Sequence, residues 1–145
     1  MLVTMETTKK IDIEAARSDV FSAACPSRKV LELIASKWVL LIFPALDGGP
    51  MRNSELLRRI EGISQKVLTQ TLKELERNGL VTRCDLETSS PHVEYELSSL
   101  GKSLSTTLVA LDRWTNQHYP ELMQAREDFD AEDENIAGRI VYKLK

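Results

Sequence analysis

The sequence predicts a mainly α-helical domain carrying one small β-hairpin, and three observations predict it. From Ser64 to Arg83 the chain reads as a two-sided helix, a stop and the start of a strand. Just before it, Ser54 to Ile60 reads as a short helix joined to the first through Glu61-Gly62-Ile63. After it, a polar tip and the alternation Val93-Glu94-Tyr95-Glu96-Leu97 close a hairpin against the strand at residues 80–86. Two helices joined by a short turn with Gly, followed by such a hairpin, make a helix-turn-helix unit with a wing.

On the two-sided helix, at about 100° per residue, Val67, Leu68, Thr71, Leu72 and Leu75 share one arc. Gln65, Lys66, Thr69, Gln70, Lys73 and Arg77 occupy the other side. The first arc needs a core. The second offers cations for phosphates and amides or hydroxyls for base edges. Ser64 fits the N-cap and Asn78-Gly79 the C-terminal stop.

The remaining elements follow in chain order. Residues 1–24 read as a loose arm leading into a weak helix, Ile11 to Ala24, with Ile13, Ala16, Val20 and Phe21 on one side. It has too few apolar residues to stand alone. Pro26 opens a helix that runs through Val30-Leu31-Glu32-Leu33-Ile34 and on through Lys37 to Phe43. It is apolar nearly all round from Trp38, hence central. Pro44 is expected to end or kink it, and Asp47-Gly48-Gly49-Pro50 to turn. Ser54 is expected to cap the short helix, with Leu56, Leu57 and Ile60 inward. Beyond the hairpin, Ser98 can cap a last helix over residues 99–120, with Leu100, Leu104, Leu108, Leu111 and Trp114 at spacings of three and four. The hairpin already closes the small core, so this stripe asks for a partner, most simply a second copy. Residues 121–145 are acidic and are expected to be largely disordered or weakly docked. The core unit spans residues 25–98.

Composition sets the outer bounds. The 145 residues suffice for one domain with arms. No apolar run approaches the ~20 residues of a membrane span, and residues 1–15 lack the apolar stretch of a secretory signal. Two cysteines, Cys25 and Cys84, are too few for a disulfide framework and suit a reduced, cytoplasmic setting. The net charge of −3 is unevenly spread. Residues 121–145 carry seven acids and four bases, whereas residues 26–83 carry ten bases and six acids. The positive charge therefore surrounds the two-sided helix.

The same residues carry a family resemblance. Cys25-Pro26, Leu33-Ile34, Lys37-Trp38, Arg52 with Ser54-Glu55-Leu56, Gly62-Ile63-Ser64-Gln65-Lys66, Leu68-Thr69-Gln70, Leu72 to Glu76, Gly79-Leu80-Val81, Val93-Glu94-Tyr95 and Leu97 to Gly101 stand in the order and spacing of a bacterial family. Over residues 25–118 the chain resembles the HxlR-type winged helix-turn-helix transcriptional regulators. The resemblance implies a homodimer joined through N- and C-terminal helices, binding a two-fold symmetric operator in double-stranded DNA. The chain departs from the family pattern at Asn53, where Phe is usual, at Pro44 within a helix usually free of Pro, and at His92, where the wing usually carries Arg.

On this reading Gln65 and Gln70 are base readers, since an amide can pair bidentately with adenine, and Lys66, Lys73 and Arg77 hold phosphates. Ser64, Thr69 and the wing's His92 complete the surface. Arg52 and Ser54 sit where a helix start favours a phosphate. The competing reading is a solvated helix face on a winged helix used for protein–protein contact.

Cys25 also has two readings. One is a small buried apolar side chain. The other is a sensor of oxidants or electrophiles, its thiolate favoured by a helix N-terminus and by nearby Arg28 and Lys29. Some family members sense through the cysteine at this position. Cys84 reads as a bystander. His92 and His118 are too few and too far apart for a metal site, and no motif calls for a cofactor or names an effector. No His–Asp or His–Asn pattern accompanies Cys25, so an enzyme is not expected.

Overall fold

The computed structural model describes residues 19–143 apart from 88 and 89, with the backbone alone for Pro91 and residues 137–143. Among the described residues, five helices and a small sheet follow one another: α1 (Pro26–Ile34), α2 (Lys37–Asp47), β1 (Met51–Arg52), α3 (Asn53–Arg59), α4 (Gln65–Arg77), β2 (Val81–Glu87), β3 (Pro91–Leu97) and α5 (Ser99–Lys143). The fold is the winged helix-turn-helix expected from the sequence.

α2 is the hub. Val39, Ile42, Phe43, Ala45 and Leu46 are buried, facing Leu56 of α3, Leu68, Leu72 and Leu75 of α4, Leu97 of β3 and Leu108 of α5. Each fully buried Leu or Phe of this set contributes roughly 1.5–3 kcal/mol through removal from water. The wing strands pair antiparallel, Val81 opposite Leu97 through Glu87 opposite Pro91. β1 adds two residues on the far side of β3, Met51 opposite Tyr95 and Arg52 opposite Glu94, so the sheet order is β1-β3-β2.

Several expectations are corrected. The helix foreseen from Pro26 to Phe43 is two helices. The Ser36 hydroxyl accepts from the Trp38 N–H at 3.3 Å and starts α2 afresh, while Ala35 N–H closes α1 on the Leu31 carbonyl. Pro44 neither ends nor breaks α2, which runs on to Asp47. It lies on the exposed side, where water can take the carbonyl left without an N–H. Ser54 does not cap α3. Arg52 is the N-cap, and its own N–H donates to the Glu55 carboxylate at 2.7 Å, one half of a capping box.

Of the helix foreseen at Ile11–Ala24, residues 11–18 lie outside the described residues and 19–24 form turns. The last helix does not stop at Pro120. It continues to Lys143, because residues 121–136 are mostly strong helix formers, and the Gln124 amide donates to Asp128 one turn on at 2.9 Å. Acidity there marks a solvated helix rather than an unstructured tail.

Candidate nucleic-acid interface

α4 owes its position to three agreeing signals. At its start the Ser64 hydroxyl accepts from the Val67 N–H at 3.2 Å. Along its length Leu68, Leu72 and Leu75 are fully buried against α2. At its end Gly79, at φ 71°, makes the left-handed turn. Gly79 N–H then bonds the Glu76 carbonyl and Leu80 N–H the Leu75 carbonyl, both at 2.9 Å, the Schellman arrangement. Thirteen residues at about 1.5 Å each give a rod of roughly 20 Å.

The opposite face is uncovered. Gln65, Lys66, Thr69, Gln70, Lys73 and Arg77 are all exposed. Lys66 and Lys73 have no ion-pair partner among the described residues, while Arg77 lies 3.8 Å from Glu74 in an exposed, weak pair. Ser64, tied up as the cap, and Ser54, in the first turn of α3, are also exposed.

Two clusters join residues that lie far apart in sequence. Gln65 donates through Nε2 to Asn53 Oδ1 at 2.5 Å and to Thr69 Oγ1 at 3.1 Å. Asn53, not foreseen as a site residue, thereby links α3 to the head of α4. Near the outer end of the wing the Arg52 guanidinium bonds His92 Nδ1, its Nε lies 3.0 Å from His92 Nε2, and His92 Nε2 lies 2.7 Å from Glu94 Oε1. In the tautomer with the proton on Nε2, the imidazole donates to Glu94 and accepts from Arg52 at Nδ1. Arg52 is thus bonded to the wing. The two-residue β1, which sets Arg52 opposite Glu94, has no periodicity by which a sequence reading could find it.

A family description, the HxlR-like helix-turn-helix, matches residues 33–123. The chain belongs to the HxlR-like helix-turn-helix family. Its relatives include the uncharacterized HTH-type transcriptional regulator YtfH of Escherichia coli K12, 40% identical over 110 residues that span 76% of this chain and 87% of YtfH. Among solved structures, the putative transcriptional regulator ytfH from Salmonella typhimurium superposes with a TM-score of 0.70 at 39% identity, covering 75% of this chain and 97% of that one. The redox regulator HypR in its reduced form superposes with a TM-score of 0.63 at 30% identity, covering 68% and 98%. The chain is therefore a member of a transcriptional-regulator family. The matched span contains α4, Asn53 and the wing. Cys25 precedes it, and the end of α5 lies beyond it.

The two thiols differ in setting. Cys25 is the N-cap of α1 and only 3% exposed, with its Sγ 3.1 Å from Ser27 Oγ. The Arg28 guanidinium is directed instead to Glu32 and the Phe21 carbonyl, each at 3.3 Å. Cys84, half-buried on β2, donates to Glu96 Oε1 at 3.7 Å. Desolvation first, then the Glu96 and Glu94 carboxylates, push the Cys84 thiol above its ordinary range. Its thiolate fraction at neutral pH is accordingly small, and Cys84 should label slowly with a maleimide probe at pH 7 and faster as pH rises. Glu96→Gln, by removing the nearer charge, should speed labelling at pH 8 about threefold or more. Equal rates in the two proteins would refute this account.

Proposed function

We propose that this chain is a homodimeric transcription factor that binds a two-fold symmetric operator in duplex DNA, with α4 of each copy in the major groove. The uncovered amide-and-ammonium face of α4 carries the reading. Its apolar side is consumed by the core, yet its other side has nothing packed on it. On this reading Lys66, Lys73 and Arg77 meet phosphates, Gln65, Thr69 and Gln70 meet base edges, and Arg52, Ser54, Ser64 and His92 flank the groove.

Dimerisation is supported by the apolar side chains that α1 and α5 leave exposed. Leu31, Leu100, Leu111, Trp114, Tyr119 and Leu122 all face solvent in the single chain. The test is fluorescence anisotropy with duplexes taken from upstream of its own gene. Saturable binding of two chains per duplex, falling steeply with salt, is expected. Binding indifferent to salt would favour a protein–protein module instead.

Cys25 is proposed as the sensing thiol. It stands at the N-terminus of α1, and the similarity to HypR, a named redox regulator, supports the assignment. Its burial means that a reagent reaches it only through local opening of the structure around it. Treatment with diamide should alter operator affinity severalfold, reversibly with dithiothreitol, in the wild type and in Cys84→Ser but not in Cys25→Ser. An undiminished response in Cys25→Ser would remove Cys25 from the mechanism.

A further inference from the structure

The Asn53–Gln65–Thr69 cluster bears on which base α4 reads. A glutamine amide has two N–H donors on Nε2 and one acceptor oxygen. Reading adenine bidentately requires one of each: N–H to N7, and oxygen from the N6 amine. Here both donors are already engaged, one by Asn53 Oδ1 and one by Thr69 Oγ1. Only Gln65 Oε1 is left to face the groove. Thr69 belongs to α4 itself, whereas Asn53 sits at the first position of α3, held there by the Glu55 bond to the Arg52 N–H, so one of the two restraints comes from a neighbouring helix.

We infer that Asn53 is a specificity-determining positioning residue, which turns Gln65 from a bidentate adenine reader into a pure acceptor for an exocyclic amine in the major groove. Such an acceptor recognises the N6 amine of adenine and the N4 amine of cytosine alike, and disfavours guanine and thymine, which present an acceptor in its place. This rests on the DNA-binding function proposed above and specifies what one of its residues reads.

The experiment is selection of the full-length protein on a randomised duplex library, with the selected duplexes sequenced, followed by affinity measurements on single-base variants. At one position in each half-site the wild type should accept adenine and cytosine within about threefold. Replacing adenine there by purine, which lacks the amine, should weaken binding about tenfold. Asn53→Ala releases one Gln65 N–H and should favour adenine over cytosine about tenfold at that position, with an unchanged salt slope. Asn53→Asp keeps an acceptor oxygen toward Gln65 and should retain the wild-type base profile, although its charge lowers affinity overall. A merely structural role for Asn53 would change affinity without changing base preference. Identical base profiles for the wild type and Asn53→Ala overturn this inference alone. A wild type that binds no duplex overturns the function reading, and this inference with it.

Discussion

A chain carrying both Lys66→Ala and Lys73→Ala is expected to bind its operator about tenfold to a hundredfold more weakly near physiological salt. The two ammonium groups lie on the exposed face of α4, and neither is neutralised by a carboxylate among the described residues. Each phosphate contact releases condensed counterions from the duplex, and the dimer loses two such contacts in each subunit, so the slope of log affinity against log salt should shrink by roughly three to four. The fold should be unaffected, because neither side chain enters the core. Anisotropy titrations from low to moderate salt, with circular dichroism as control, check this. An unchanged slope would mean that this face does not meet the phosphates. Arg77→Ala should cost less, since its guanidinium is already shared with Glu74.

Gly101→Ala is expected to be the most damaging single methyl in the chain. A Cβ built at Gly101 lies 2.0 Å from the Leu80 carbonyl oxygen and 3.1 Å from its carbon, both backbone atoms with no rotamer to yield. The close approach is enforced from both sides. The Ser98 hydroxyl donates to the Gly79 carbonyl at 2.5 Å and accepts from the Gly101 N–H at 3.0 Å, while Ser98 N–H bonds the Leu80 carbonyl at 3.1 Å. The end of α4 and the start of α5 are laced together there. Forcing them apart should cost roughly 3 kcal/mol and lower Tm on the order of 10 °C. Gly48→Ala is the matched control: its φ is −75° and nothing lies within 4 Å of the added Cβ, so it should be close to neutral. Thermal melts of the two variants beside the wild type decide the matter. A Gly101→Ala melt as mild as that of Gly48→Ala would contradict the packing described.

These two sites also mark where the sequence was informative. α4 could be read in full because cap, apolar stripe and stop all pointed to the same thirteen residues, and the wing strands declared themselves by alternation. The break between α1 and α2 was missed because the apolar run overshadowed Ser36, the N-cap in its midst. The far end of α5 is hidden in the sequence because its acidic residues resemble those of an unstructured segment, and because Pro120, on the exposed side of the helix, does not stop it. The Asn53–Gln65 bond and the Arg52–His92 contact join residues 12 and 40 positions apart. No local pattern encodes such meetings; they exist only once α3, α4 and the wing are folded. The exposed face of α4 was therefore legible, whereas the bonds that tie its side chains to α3 were not.

The length of α5 has a mechanical side. At about 1.5 Å per residue, its 45 residues span nearly 70 Å. That is over twice the ~30 Å width of a small domain, so the chain is a compact head on a long shaft. Such a particle tumbles anisotropically and meets more hydrodynamic drag than a sphere of its 16.4 kDa mass. Its sedimentation and elution will report its outline as much as its mass.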